Sequence, residues 1–359
     1  MDTGYNVSNN FIDFSNRRSS FASQTREQME PHTPVPGPPP LPPMAPDFRK
    51  AGFWRRSAAL FIDSIILAIV GGVLGFFLGD FFMRMGGWER FIGFAIALLY
   101  FVPLNSRLGG GQTLGKRALR IRVVSKTGEP LSVGRSFVRS FVLLLPFFVN
   151  GAPIPMWLLQ SGGGILFSEI VFGLGLVIFY LIAFNVKTQQ SLHDLLAGSY
   201  VIRVGSEAAD KPKIWGGHYA AVALILVLAG VVPILLANMI KASLGTEIIE
   251  AYEAIQQQPE VAMASVIAGQ TFFWDNKRGQ RAVTGVTVTI RLNRRVENFE
   301  TEADKLVGIL LQKYPDAGTK DSIGIMLSLG YNLGIWSWSS GQGFNYPPDQ
   351  WRQRLESRK

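Results

Sequence analysis

Long apolar runs fill the chain up to about Ile240, and shorter amphipathic patterns replace them afterwards. Five runs predict membrane spans: Ser57 to Gly79, Trp88 to Leu104, Ser136 to Leu158, Gly164 to Phe184, and His218 to Ile240. They are too long and too uniformly apolar to be amphipathic helices of a soluble core. A hydrocarbon layer of about 30 Å is what such runs match. Trp88 and Tyr100 are placed to act as interfacial anchors of the second run. The third run is ambiguous, because Pro146, Pro153 and Pro155 interrupt it.

After Lys241 the periodicity changes. "TEIIEAYEAIQQ" predicts a helix and "VTGVTVTIRL" an alternating strand. "TEADKLVGILLQKY" predicts a second helix, with Thr301 and Asp304 in capping-box positions and an apolar face at Ala303, Leu306, Val307 and Leu310. "DSIGIMLSLGYNLGIWSWSSG" reads as two strands turning near Tyr331 and Asn332. "PPDQWRQRLES" reads as a closing helix with proline in its first turn. Trp336 and Trp338 share a strand face. They are expected either to pack on the Thr301–Tyr314 helix or to form an exposed aromatic patch.

The fold class this predicts is an α-helical polytopic membrane bundle of about five spans, followed by a small α+β domain outside the cytoplasm. The expected divisions are a disordered proline-rich tail (1–47), a membrane domain (48–205), a linker with the last span (206–241), and a soluble α+β domain (242–359). The tail ends in "PHTPVPGPPPLPPMAP", which reads as a stiff polyproline-type segment, with a docking peptide as the alternative. No apolar core occurs in the first thirty residues, so no secretory signal is expected there.

Charge orients this arrangement. The chain carries a formal +9 over 359 residues. Up to Ile240 there are 21 Lys and Arg against 13 Asp and Glu, and beyond it 14 against 13. The basic excess therefore belongs to the membrane half, which fits the positive-inside rule and not a nucleic-acid footprint. Arg49, Lys50, Arg55 and Arg56 precede the first span, and a strongly basic loop from Arg107 to Arg139 precedes the third. Both are expected in the cytoplasm. The uncharged stretch 150–163 is expected outside, and with it the C-terminal domain, provided that the ambiguous run crosses. A bacterial cytoplasmic membrane is the expected location, with the lipid bilayer and a protein partner of the C-terminal domain as partners.

The chain has no cysteine, which removes disulfides, thiolate zinc sites and cysteine nucleophiles. Histidine occurs only at positions 32, 193 and 218, so no histidine-rich metal site is expected. With no nucleophile setting in the C-terminal part, neither a cofactor nor an enzymatic activity is expected.

The candidate chemistry is therefore intramembrane charge. Asp63 sits within an apolar run, seven residues after Arg56. That spacing puts both near one helix face, about 10 Å apart along the axis. Intramembrane ionisable groups mark functional sites or interhelical hydrogen bonding. Glu169, near the outer end of the fourth span, is a second candidate, with interfacial exposure as the simpler reading. Asp194 follows that span in a polar turn, where it is suited to cap backbone amides or pair with an arginine. "GGGQTLGKR" shares the skeleton of a phosphate loop, but Arg117 stands where Ser or Thr would hold Mg²⁺ and no buried strand precedes it. A glycine turn is the better reading. It leads into two short strands around Lys126–Glu129.

Together, the Arg-then-Asp first span, "GQTLGKR…IRVV…GEPLS…R" and "LHDLLAGS" resemble the RDD family of bacterial membrane proteins, named for one arginine and two aspartates. The matching residues are Arg56, Asp63 and Asp194. Gly111, Gln112, Thr113, Gly115 and Lys116 match the central glycine turn, and Arg139 matches the basic position before the next apolar segment. The resemblance covers about Ala51 to Val204. It implies a multi-span module with transport of a cation or proton as one function, Asp63 being the titrating group. The alternative is a non-transporting anchor or assembly factor that displays the C-terminal domain.

Overall fold

The computed structural model describes residues 50–155, 158, 162–206, 214–243, 245–275 and 279–358. The proline-rich tail lies outside them.

Helix α1 (Phe53–Arg84) contains 32 residues, about 48 Å of helix, and is kinked at Leu78. It packs against α2 (Glu89–Leu104), which returns antiparallel. A glycine turn with positive φ at Gly110 and Gly111 leads to the short α3 (Leu114–Ala118). Strand β1 (Ile121–Ser125) and α4 (Val133–Val149) follow. Helix α5 (Gly163–Phe184) contains a π-helical turn at Glu169–Leu174. After it come α6 (Leu192–Leu196), β2 (Ser199–Arg203) and α7 (Gly217–Ser243). Among the described residues, three helices are long and apolar enough to cross a membrane: α1, α5, and Gly217–Leu236 of α7. Helix α2 has 16 residues and α4 has 17, about 24–26 Å each.

Two expectations fail here. The third apolar run does not continue to Leu158, because α4 stops at Val149 and irregular backbone follows. Proline is the reason: Pro146 already removes one helical donor, and Pro153 and Pro155 lie in the irregular stretch that precedes Leu158, where the backbone is helical again. Nor do two strands flank the Lys126–Glu129 turn. Ser125 N donates to Glu129 O at 2.6 Å, closing the turn, but Pro130 cannot extend the ladder. Strand β1 instead pairs antiparallel with β2, with Ile121 opposite Arg203 and Ser125 opposite Ser199. Ala51, Ala59, Ile121, Val123, Leu131 and Val201 close a small core at this end of α1.

The C-terminal domain begins with α8 (Thr246–Gln256). A four-stranded sheet has the order β3 (Val261–Asp275), β4 (Gly279–Leu292), β5 (Ser322–Asn332), β6 (Ser337–Tyr346). Only β4 and β5 are parallel, joined across the sheet face by α9 (Phe299–Lys313). Helix α10 (Pro348–Ser357) completes the layer. Val286, Val288, Ile290 and Leu292 alternate inward from β4, and Ile323, Ile325 and Leu327 from β5. They meet Leu306, Val307 and Leu310 of α9 and Trp351 of α10. Helix α9 starts earlier than the capping-box reading: Asn298 is its N-cap and accepts from Glu300 N at 2.7 Å.

This domain sits at the far end of α1 from β1 and β2. Arg295 reaches Asp80 at 3.2 Å, and Arg291 reaches Glu89 at 3.5 Å. The β5–β6 turn falls at Leu333–Trp336, two residues later than expected. Its tip enters the helical bundle. Leu333 is fully buried with Phe82 and Tyr331, and Ile335 packs beside Leu67, Ala97 and Phe148. Trp336 and Trp338 do not pack on α9: Trp336 lies against Gly71 and Gly72 of α1, and Trp338 stacks on Tyr331.

Candidate functional site

At the β1–β2 end of the bundle, five segments deliver charged and polar side chains to one place. Asp63 is completely buried on α1. Its Oδ1 accepts from Tyr100 Oη at 2.7 Å and Gly115 N at 2.8 Å, and its Oδ2 from Thr113 Oγ1 at 2.6 Å. Three donors satisfy a carboxylate that burial alone would disfavour. The glycine-turn sequence builds this cradle. Thr113 caps α3 through Lys116 N while its hydroxyl donates to Asp63. Gln112 Nε2 holds the turn to Ile121 O at 2.9 Å. Gly115 must lack a side chain, since a Cβ there would lie 2.1 Å from Ala59 O. Gly111 is similarly confined, with a Cβ 2.2 Å from Val123 O and φ at +75°.

Arg56 is not the partner of Asp63. It donates to Asp194 and to Gln189 O. Along the axis the two α1 residues are about 10 Å apart, so Arg56 serves the loop after α5 while α3 serves Asp63. Asp194 is also fully buried. Its Oδ1 accepts from Arg139 Nε at 2.9 Å and Ser199 Oγ at 3.2 Å, and its Oδ2 also accepts from Ser191 N, closing the capping box of α6. Burial pushes its carboxyl up, but Arg56 and Arg139 override that and hold it well below the usual carboxylate range. His193 is driven down to about 3 by burial, reinforced by the neighbouring arginines, and so is neutral.

Lys116 lies between the two aspartate centres. It is 9% exposed, and its Nζ sits 3.4 Å from Thr113 Oγ1 and over the Phe101 ring. Burial, with Arg139 adding to it, pushes its ammonium down to about 7. Glu169 does not join this cluster. It stays half-buried on the π turn, with its carboxylate against Gly173 and Gly230 of α7. No three His, Asp or Glu side chains converge for a metal among the described residues.

Sequence reasoning missed several members. Tyr100 was read as an interfacial anchor, yet it hydrogen-bonds Asp63. Glu89 and Arg90 open α2 at the opposite end of α1. Both are buried: Glu89 accepts from Gly87 N at 2.6 Å and Asn332 N at 2.9 Å, and Arg90 Nη2 caps α4 at Phe147 O, 2.8 Å. A Glu-Arg pair opening an apolar helix was the available signal, because a carboxylate belongs at a helix N-terminus.

The fold and site thus define a helical membrane module organised by one arginine and two aspartates. Residues 50–198 match the RDD family, and this part of the chain is an RDD-family domain. Two relatives come from Bacillus subtilis (strain 168). The uncharacterized protein YxaI is 27% identical over 175 residues, which is 43% of this chain and 97% of the relative. The uncharacterized protein YckC is 28% identical over 154 residues, covering 43% of this chain and 85% of the relative. The C-terminal domain lies beyond the family match. No solved structure matches the chain significantly.

Proposed function

We propose that the chain is a five-span bacterial cytoplasmic-membrane anchor that holds its C-terminal α+β domain outside the cell and offers it to a protein partner. The observation that carries this reading is the β5–β6 hairpin, whose tip is seated among α1, α2 and α4. An outer domain tethered only by α7 needs no such socket. The satisfied aspartates support the same view. Asp63 and Asp194 spend their lone pairs on donors from neighbouring segments, as groups that fix packing do. The basic loops gather at the opposite end of α1, which supports a cytoplasmic N-terminus.

Cation or proton transport is the second reading. It is favoured by one fact: no cation lies within 4.0 Å of Asp63 among the described residues, so a mobile ion could compete for it. Flux of Na⁺ and H⁺ in sealed inside-out vesicles separates the two. The anchor reading expects wild type and Asp63→Asn to leak at the rate of protein-free vesicles. Wild-type flux abolished by Asp63→Asn would establish transport. Protease added to the same vesicles should spare the C-terminal domain, and its digestion would place that domain in the cytoplasm.

A further inference from the structure

The charges at the β1–β2 end do not balance. With Lys116 protonated, Arg56, Lys116 and Arg139 contribute three positive charges, and Asp63 and Asp194 two negative ones. His193 is neutral. Both aspartates already accept three or more hydrogen bonds, and no carboxylate lies within ion-pair distance of Lys116 among the described residues. Arg139 commits only Nε to Asp194. Its two terminal nitrogens have no hydrogen bond among the described residues, although the side chain is 4% exposed. His193 Nδ1 is likewise unpartnered and buried. A buried charge without a partner is costly, so such groups pair or neutralise.

These groups line a half-open space. A cavity of about 60 Å³ is lined by Arg56, Lys116, Arg139, His193, Phe101 and neighbouring apolar side chains. It has room for several water molecules. Water would fill it without balancing the charge.

We propose that this cavity binds one small monovalent anion, of chloride size, held by Lys116 and Arg139 with Arg56 behind them. The anion completes the charge balance and lets Lys116 stay protonated inside the bundle. The inference is independent of whether the protein anchors or transports, because the site needs only the RDD module.

Thermal unfolding of the full chain in detergent tests it, with sodium chloride exchanged for sodium gluconate at constant ionic strength. Wild type should show a saturable rise in Tm with chloride, about 3–5 °C at ten times the half-saturating concentration, and bromide should reproduce it. Lys116→Arg should keep the response and Lys116→Met should lose it. Identical Tm values for wild type in both salts, or a full response in Lys116→Met, would overturn the proposal. If Lys116→Met does not fold, chloride-35 NMR on wild type decides. Line broadening that bromide competes away supports the site, and lines as narrow as those of detergent alone refute it.

Discussion

Asp194→Ala should yield almost no monodisperse protein. The carboxylate is the shared counter-ion of Arg56 and Arg139 and the cap of α6, so its loss strands a buried and a half-buried guanidinium and frees a helix end. Breaking a buried ion pair from one side costs about 3–5 kcal/mol. A lost cap adds about 1 kcal/mol. Typical folding stability is about 5–15 kcal/mol, so the sum consumes much of it. Asp194→Asn keeps the shape and some donors' partners but not the charge, and should fall between. Arg56→Ala should be milder, because Arg139 still neutralises Asp194. Fluorescence-detected size exclusion after detergent extraction reads all three. Wild-type yield and Tm in Asp194→Ala would mean that the two arginines find other partners, and the charge network would lose its organising role.

Gly93→Ala should unseat the β5–β6 hairpin. A Cβ at Gly93 would lie 1.7 Å from Leu333 O, and one at Gly75 1.9 Å from Tyr331 Oη. The Leu333 carbonyl is backbone in a turn already held by Leu333 N to Trp336 O at 2.9 Å and by Gly334 at φ +80°. It cannot move alone. Overpacking of this kind costs about 1–3 kcal/mol, and the hairpin relieves it by withdrawing. The core of the C-terminal domain, from Val286 to Trp351, lies away from the tip and should stay folded. A cysteine placed at Leu333, fully buried in wild type, reports the change. Its labelling by a membrane-impermeant maleimide should rise at least about tenfold in the Gly93→Ala background, the factor that about 1.4 kcal/mol of unseating produces. Equal protection in both backgrounds would show that the bundle accommodates the methyl without moving the hairpin.

What was legible in the sequence follows from the range of each interaction. Helices α1, α5 and α7 were readable because an apolar run is a local property. So were α8, β4, α9 and α10, whose faces repeat within a few residues. Strand β3 was missed because Ala, Ser and Gly dilute its alternation in "VAMASVIAGQ". The pairing of β1 with β2 could not be read, since nearly eighty residues separate the partners and the local turn at Lys126–Glu129 offered a simpler hairpin. The two site aspartates were readable as anomalies: one in an apolar run, the other in a polar turn beside a basic end. Their partners were not. Nothing in the spacing says that Arg56 bypasses Asp63 for Asp194, or that Thr113 and Gly115 turn toward α1. Those choices depend on depth along α1, which appears only when the segments are assembled. The seating of Leu333 and Ile335 was hidden for a similar reason, because four residues of a hairpin tip look like any aromatic turn.

Docking of the C-terminal domain on the RDD module is tested most directly by a disulfide trap. The chain has no cysteine of its own, so an introduced pair is unambiguous. A Cβ at Gly86, in the α1–α2 loop, would lie 3.7 Å from Ala262 Cβ at the start of β3. Disulfides have a mean Cβ separation of about 3.8 Å. Gly86 has φ at +62°, so a cysteine there costs about 1–2 kcal/mol, which the protein should tolerate. In native membranes treated with a mild oxidant, Gly86→Cys with Ala262→Cys should form an intramolecular bond in most molecules, identified by mass spectrometry of the linked peptides. Two free thiols in a folded, full-length protein would contradict the docked arrangement, and with it the anchor reading built on the seated hairpin.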